Sequence, residues 1–346
     1  MAATSCDRRV GGVTFIAFLF SGMIVVHGDL CQIGDSGTNV GRWVDDPTLV
    51  YPPCCGWDDN HWAHHRDVCS RMTKDGHNYE GQKTSSTQIG GHACTCTDVR
   101  RMAWVPERCQ LVAWDARDFC RRLGDRTLLF IGDSTMGQAT STLASYIFLG
   151  RGGCQAQVKY AQSDTLIHEL LGNFNRGKYW TRSVDDFKPD IVVVNAGPHV
   201  HRDFERVLTT VLQDYLKGPR DFTLVWKTEN PAGCSKEARE ITDWSNYTWA
   251  NSTKKSYTQH KAQYKKRDAL AKQILGPHVP VLDVRPLASR PDAHVGSNTG
   301  TNDCMHFCTP GPLSILPRLV LQMMILNHNL TRGPEPAASA AEPLRT

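Results

Sequence analysis

The sequence predicts an α/β fold in which helices cover a mainly parallel β-sheet. Four short apolar runs, rich in β-branched residues, have the length of buried strands: TLLFI (127–131), DIVVV (190–194), FTLVW (222–226) and VPVLDV (279–284). Segments with helical character follow or separate these runs. Strands that alternate with helices favour parallel pairing, so we expect a sheet with helices on both sides.

Helices are predicted after each of the first strands and at the end of the domain. The stretch TMGQATSTLASYIF (135–148) continues from the first strand, and FERVLTTVLQDYL (204–216) places its apolar side chains on one face. A further helix is expected over about 257–275. The last is expected over 313–329, with Pro317 early in it, where proline is tolerated.

An N-terminal targeting segment covers residues 1–28. Arg8 and Arg9 precede an apolar run from residue 10 to residue 26. A run of this length fits either a cleaved signal peptide or an uncleaved signal anchor in the membrane. Both alternatives lead into the secretory pathway.

Two other features point to the same compartment. Asn-x-Ser/Thr sequons at Asn246, Asn251 and Asn329 predict N-glycosylation. Of the 13 cysteines, Cys6 lies in the targeting segment, which leaves twelve, enough for six disulfides in an oxidising lumen. Their pairing cannot be read from the sequence. A net charge of +4 over 346 residues gives no indication of a nucleic-acid partner.

Composition marks three regions after the targeting segment. Residues 29–122 are rich in Cys, Trp, His and Gly and predict a loop-rich region held by disulfides. Residues 123–330 carry the strands and helices of the α/β domain. The tail 331–346, rich in Pro and Ala, predicts disorder.

The tetrapeptide IGDS occurs twice, ending in Ser36 and in Ser134. Ser134 directly follows a predicted strand, Gly132 permits a tight turn, and a helix comes next. Its hydroxyl is therefore expected at the carboxyl edge of the sheet and at a helix N-terminus, where free N–H groups favour developing negative charge. Ser36 lies in a turn-rich stretch with no strand before it. We predict Ser134 as a nucleophile.

A serine nucleophile needs a base, and the base needs a group that orients its ring. The segment NDCMHFC (302–308) offers Asp303 and His306, three residues apart, between the last strand and the last helix. The predicted triad is Ser134, His306 and Asp303. Asn195 ends DIVVVN at the same edge of the sheet, so its amide is predicted to stabilise an oxyanion together with the N–H of Ser134.

Alternative sites are less favoured. A second D-x-x-H pair, Asp58 and His61, accompanies Ser36 but has no strand context. The G-x-S-x-G elbow of α/β-hydrolases is absent, since Met136 stands where its second glycine belongs.

Other polar residues have weaker assignments. The stretches HWAHH (61–65) and HACTC (92–96) contain metal-ligand residue types, but we expect bridged cysteines and no metal site there. His199 and Lys227 lie near the predicted catalytic edge and are candidates for substrate contact.

Ordered blocks along the chain resemble the PC-esterase family, which includes the plant trichome birefringence-like polysaccharide O-acetyltransferases. The resemblance covers about residues 31–328 and includes the GDS and D-x-x-H motifs. Its blocks are Cys31, GRWVDD (41–46), Tyr51, WVPERC (104–109), LVAWDA (111–116), FCRRLGDRTLLFIGDS (119–134), NAG (195–197), RPDAHVG (290–296) and DCMHFCTPGP (303–312).

The resemblance implies a three-layer α/β/α domain of the SGNH type with the Cys-rich region packed on it. It also implies Ser134, His306 and Asp303 as the triad, Asn195 in the oxyanion hole, and transfer or removal of O-acetyl groups on carbohydrate through an acyl-serine. The sequence departs from the family at Gly137, where plant members commonly carry an arginine that contributes to the oxyanion site.

Together these observations predict a glycan O-acetyltransferase. The alternatives are a carbohydrate acetyl esterase with the same triad, and a catalytically inactive carbohydrate-binding or cell-surface protein. The transferase binds no cofactor but needs an acetyl donor. The expected locations are the Golgi lumen, as a single-pass type II protein anchored through residues 10–26, or the exterior of the cell. The oligomeric state is left open.

Overall fold

The computed structural model describes residues 29–32, 40–49, 99–167, 177–200, 203–217, 221–234, 255–299, 303–309, 311–327 and 330. Several predictions concern residues outside these ranges: the targeting segment 1–28, Ser36, the Asp58–His61 pair, the stretches 61–65 and 92–96, the sequons at Asn246, Asn251 and Asn329, and the tail 331–346.

A parallel sheet forms the centre of the described structure. The strands are, in chain order, β1 (Gly41–Asp45), β2 (Met102–Pro106), β3 (Leu128–Gly132), β4 (Val158–Gln162), β5 (Ile191–Val194), β6 (Thr223–Lys227) and β7 (Val281–Leu282). Strands β1 and β2 pair with each other in antiparallel fashion. The other five form one sheet in the order β4-β3-β5-β6-β7, and all its neighbours are parallel.

Helices flank this sheet. They are α1 (Ala116–Leu123), α2 (Ser134–Leu149), α3 (Trp180–Phe187), α4 (Phe204–Leu216), α5 (Lys255–Leu275), α6 (Val295–Thr299) and α7 (Ile315–Leu326). Short 3₁₀ turns lie at Gln155–Gln157, Arg285–Ser289, Pro291–Ala293 and Pro312–Ser314. The predicted α/β class is confirmed, as are the four predicted strands and the helices after β3, β5, β6 and β7.

Alternate residues of the central strands supply two separate apolar cores. In β3, Leu128 and Phe130 join the core formed with α1, α2 and α7, while Leu129 and Ile131 join the core formed with α3, α4 and α5. Successive side chains of a strand point to opposite faces, so a strand covered on both sides must be apolar throughout. This requirement explains the uninterrupted apolar runs in the sequence.

The strand order has a switch point at β3. The chain passes from β3 to β4 on one side and then returns to β5 on the other side of β3. At such a switch point the connections leave in opposite directions, and a cleft opens beyond the carboxyl ends of the two strands. The ends of β3 and β5, where this rule places a binding site, lead into Ser134 and Asn195.

The described part of the Cys-rich region is fixed to helix α7. The guanidinium of Arg318 donates to the carbonyl oxygens of Trp104, Leu111 and Val112. The side-chain amide of Gln322 accepts from the N–H of Val112 at 2.7 Å and donates to the carbonyl of Cys31 at 2.8 Å. These bonds give partners to backbone groups of the Cys-rich region where it packs against α7.

Three disulfides lie within the described residues, Cys31–Cys109, Cys120–Cys154 and Cys234–Cys304. They indicate an oxidising compartment, as expected for a protein of the secretory pathway or the exterior of the cell. In the described part of the chain, no helix has both the length and the apolar character needed to cross a membrane.

Candidate active site

Ser134 is the first residue of α2 and directly follows the turn from β3. Asp133 forms the N-cap, and its Oδ1 atom accepts from the backbone N–H of Thr135 at 2.9 Å and from its hydroxyl at 2.6 Å. A Cβ at Gly132 would lie 2.4 Å from the Cγ atom of Met136, so only glycine fits this turn. The local sequence therefore holds the serine hydroxyl at the edge of the sheet and at the helix N-terminus.

A tight turn brings Asp303 and His306 together within residues 303–308, which we call the histidine loop. The Oδ1 atom of Asp303 accepts from the backbone N–H of Met305 at 3.2 Å and of His306 at 3.1 Å. An aspartate that bonds the backbone two and three residues later is typical of turns. The same carboxylate lies 2.9 Å from Nδ1 of His306 through its Oδ2 atom.

The histidine loop meets the serine in a continuous hydrogen-bonded chain. Nε2 of His306 lies 2.7 Å from Oγ of Ser134. Both residues are largely covered, with 7% of Ser134 and 8% of His306 exposed. When Nδ1–H donates to Asp303, Nε2 is the acceptor for the serine proton. A hydroxyl, an imidazole and a carboxylate in this order can generate an alkoxide nucleophile and then protonate a leaving group.

The charges of the site match this chemistry. Burial alone lowers the pKa of His306, but the hydrogen bond and the charge of Asp303, with the charge of Asp133, outweigh burial and raise it above 6.5. Burial alone raises the pKa of Asp303, yet its hydrogen bond to His306 lowers that pKa to about 2. Asp303 therefore stays ionised and stabilises the imidazolium that forms during proton transfer.

Asn195 follows β5 at the same edge and is fully buried. Its backbone N–H donates to the carbonyl of Ile131 at 3.1 Å, and its Nδ2 donates to the carbonyl of Lys227 at 2.9 Å. One N–H of the amide thus links β5 to β6. A carboxamide carries two N–H groups, so the second N–H is the one that would donate to an oxyanion.

The two candidates for substrate contact have different surroundings. His199 is exposed in the loop after Asn195. Lys227, at the end of β6, is fully buried, and its Nζ donates to Asn230 Oδ1 at 2.7 Å and to the carbonyl of Thr228 at 3.0 Å. The expectation of a substrate contact at Lys227 therefore does not fit, because its ammonium faces protein groups in the interior.

Lys227 belongs to a buried group of charged residues behind the catalytic edge. Burial lowers the pKa of Lys227 to about 8 and raises that of Glu229 to about 7. Glu229 is paired with Arg267 at 3.2 Å, and both side chains are buried. Asp283 pairs with Arg285 and Lys272; burial alone raises its pKa, but these cations lower it to about 2. Buried charges of both signs in contact reduce the cost of removing each from water.

Sequence reasoning missed two residues that contact the histidine loop. His294 stacks on Phe307, with ring centroids 4.1 Å apart, and its Nδ1 lies 3.2 Å from the carbonyl of His306. Gln138, on the second turn of α2, contacts the backbone of Phe307 with both ends of its amide. His294 had no signal beyond its position within the block RPDAHVG (290–296), and Gln138 lies outside the named blocks.

In the described ranges no group of three or more His, Cys, Asp or Glu side chains is arranged to hold a metal ion. The polar groups of the site are those of the triad, the helix N-terminus and Asn195, which are suited to acyl transfer.

Comparison with known proteins finds no protein-family model that matches the chain and no curated protein that matches it.

Proposed function

We propose that this protein is a serine acyltransferase that moves acetyl groups onto carbohydrate hydroxyls in the secretory pathway. The supporting observation is the hydrogen-bonded chain from Ser134 Oγ through His306 to Asp303, with distances of 2.7 and 2.9 Å. The parallel sheet with helices on both faces is in keeping with an SGNH-type α/β/α domain. The carbohydrate substrate, the acetyl donor and the resemblance to PC-esterases are parts of the same proposal.

The reaction begins when His306 removes the proton of Ser134 as the hydroxyl attacks the carbonyl carbon of the acetyl donor. The N–H of Ser134, at the start of α2, donates to the oxyanion, and we assign the free N–H of Asn195 as the second donor. Collapse of the tetrahedral intermediate expels the donor alcohol, which takes the proton from His306. The product is an acetyl-serine.

In the second half a sugar hydroxyl gives its proton to His306 and attacks the acetyl carbon. Ser134 leaves and recovers a proton, and the sugar carries the acetyl ester. If water attacks instead, the same residues catalyse hydrolysis and the protein is an acetyl esterase. The low exposure of Ser134 (7%) and His306 (8%) supports transfer, since an acyl-enzyme that excludes water survives until a sugar hydroxyl arrives.

The test uses the purified full-length protein with a generic aryl acetate as donor, with and without a panel of glycan acceptors. We expect release of the aryl alcohol, an acetyl group on the peptide that contains Ser134, and acetylated sugar when a suitable acceptor is present. Free acetate as the sole product would favour the esterase. Wild-type rates in a Ser134→Ala variant would reject Ser134 as the nucleophile. Glycan binding and biological effect that survive unchanged in Ser134→Ala would favour a carbohydrate-binding protein.

A further inference from the structure

Gln138 lies one turn beyond Ser134 on the same face of α2. Residues four apart in a helix stack along one side, so the two side chains face the histidine loop together. Ser134 bonds to His306, and Gln138 bonds to the next residue, Phe307. Two successive turns of the helix therefore hold two successive residues of the loop.

The amide of Gln138 bonds to the backbone N–H and C=O of Phe307, which the neighbouring strand segment does not reach. His294 and Phe307 form an antiparallel bridge, in which Val295 N–H donates to the carbonyl of His306 and Cys308 N–H donates to the carbonyl of Ala293. In this pairing the N–H and C=O of Phe307 itself point away from residue 294. Phe307 is fully buried, so both groups need a partner on the opposite side.

Gln138 supplies both partners. Its Nε2 donates to the carbonyl of Phe307 at 2.9 Å, and its Oε1 accepts from the N–H of Phe307 at 3.3 Å. The orientation of the amide is fixed, because a carbonyl needs a donor and an N–H needs an acceptor. The side chain thus offers one donor and one acceptor to the backbone of Phe307, as a residue of a neighbouring strand would. Neither a carboxylate, which only accepts, nor an apolar side chain can replace both functions.

We infer that Gln138 is a positioning residue, which clamps the histidine loop to α2 and so sets the distance between His306 Nε2 and Ser134 Oγ. The effect on kcat that we expect rests on the proposed function, because it requires that Ser134 and His306 catalyse acyl transfer. Without the clamp, the loop keeps its pairing with residues 293–296 and the Cys234–Cys304 bridge, but Phe307 loses its attachment to α2 and the base moves relative to the hydroxyl. Misplacement of a catalytic group by a fraction of its hydrogen-bond length lowers the rate of the chemical step without weakening substrate binding.

The chain offers a matched control in Gln322. Its amide makes the same two kinds of bond, to the N–H of Val112 and the carbonyl of Cys31, and it is buried, as Gln138 is. It joins α7 to the Cys-rich region, and its hydrogen-bond partners, Val112 and Cys31, are not residues of the triad. A substitution there removes the same interactions at a different place.

The experiment compares Gln138→Glu with Gln322→Glu in the full-length protein. An ionised glutamate places a second acceptor against the carbonyl of Phe307, whereas a protonated glutamate donates there as the amide does. We expect Gln138→Glu to lower kcat by on the order of tenfold to hundredfold at neutral pH, with KM unchanged. The ratio of its kcat to that of wild type should rise as the pH falls, because burial raises the pKa of the new carboxyl. Gln322→Glu should lower thermal stability and leave kcat unchanged at every pH.

A wild-type kcat in folded Gln138→Glu would overturn the inference, as would equal kinetic effects of the two variants. If Gln138→Glu does not melt cooperatively, Gln138→Met replaces it. A lower kcat at constant KM, with no recovery at low pH, then supports the clamp, and a wild-type kcat overturns it.

If wild type itself turns over no acetyl ester, the proposed function fails, but the clamp is still tested by NMR titration of His306. A pKa that changes in Gln138→Met and not in Gln322→Glu supports the clamp, and an unchanged pKa overturns it.

Discussion

The Nε2 atom of His306 lies 2.7 Å from the hydroxyl oxygen of Ser134, although 172 residues separate them in the chain. The contact depends on two local structures, the turn from β3 into α2 and the Asp303 turn of the histidine loop. Each is fixed by its own hydrogen bonds, and the fold brings them to one edge of the sheet. The chemistry of the site can therefore be probed by changes that alter one group at a time.

The first prediction concerns Asp303. Asp303→Asn keeps an acceptor for the N–H of Met305 and His306 but loses the negative charge beside the imidazole. We expect kcat to fall by up to about 10⁴-fold, since the imidazolium is no longer stabilised and the ring tautomer is no longer fixed. The measurement is kcat/KM for an acetyl ester as a function of pH.

The pH profile of activity gives the direction of the change that is expected in Asp303→Asn. His306 acts as a base only when neutral, so activity is lost as the pH falls through its pKa, which Asp303 and Asp133 raise above 6.5. In Asp303→Asn the midpoint should move to lower pH. Asp292→Asn serves as control, because Asp292 pairs with Arg290 at 2.9 Å, whereas Asp303 and Asp133 are the carboxylates that raise the pKa of His306. A midpoint that is the same in wild type and Asp303→Asn would contradict the assignment.

Asn195 allows a second test, of the oxyanion donor. Asn195→Ala removes both N–H groups of the amide, the one bonded to the carbonyl of Lys227 and the one assigned to the oxyanion. We expect kcat to fall by about 10²–10³ with little change in KM, because the lost bond forms only when charge develops on the substrate oxygen. Steady-state kinetics and thermal melts are measured together. A variant with wild-type kcat and lower stability would restrict Asn195 to linking β5 and β6.

Much of this site could be predicted from the sequence because its signals are local. A strand followed by Gly-Asp-Ser and a helix predicts a hydroxyl at the carboxyl end of β3, and the three-residue spacing of Asp303 and His306 predicts one turn. The rule that ligands bind at the carboxyl ends of parallel strands places both stretches at the same edge. The structure has this arrangement, with the loop between β7 and α7 reaching the end of β3.

Features that depend on distant parts of the chain were not predictable. The sequence pattern around Gln138 predicts only a helix, and its partner Phe307 lies 169 residues away. Strand β4 was missed because VKYAQ at the edge of the sheet is only partly buried and lacks an apolar run. Lys227 was predicted as a candidate for substrate contact because it ends a strand at the catalytic edge, and its buried partners become visible only in the folded chain.

The buried position of Lys227 gives a third prediction. Lys227→Met removes the donor to Asn230 Oδ1 and the carbonyl of Thr228, so we expect the free energy of unfolding to fall by roughly 1–3 kcal/mol. The KM for the carbohydrate acceptor should not change. Lys178→Met, which removes an exposed ion pair with Asp186, is the control and should have little effect on either quantity. A higher KM for the acceptor in Lys227→Met, at unchanged stability, would support the original prediction that Lys227 contacts substrate.

The same variant tests the charge of Lys227. Burial lowers the pKa of Lys227 from its ordinary value of 10.5 to about 8, so the folded state binds fewer protons than the unfolded state between these values. Wild-type stability relative to Lys227→Met should therefore increase as the pH rises from 8 to 10.5. Urea unfolding at several pH values measures the difference. A difference that is constant across this range would show that the ammonium is not desolvated.

The disulfide Cys234–Cys304 gives the last prediction, because it ties the histidine loop to the segment after β6. Cys304 is adjacent to Asp303, and the N–H of Gly233 donates to the carbonyl of Cys304 at 2.6 Å. Cys120–Cys154 is the matched control, since it joins α1 to the segment before β4, away from the triad. Sequence separations of 70 and 34 residues give similar entropic stabilisation, about 4 kcal/mol each on the loop-closure relation.

Replacing both cysteines of either bridge with serine should therefore cost similar stability, measured by urea unfolding. The kinetic effects should differ. We expect kcat for an acetyl ester to fall strongly in Cys234→Ser/Cys304→Ser, because Asp303 and His306 lose an anchor on one side. Cys120→Ser/Cys154→Ser should keep wild-type kcat under conditions where it is folded. Equal kcat values for the two double variants would mean that the backbone bonds of the histidine loop, with Gln138, are sufficient to hold the base in place.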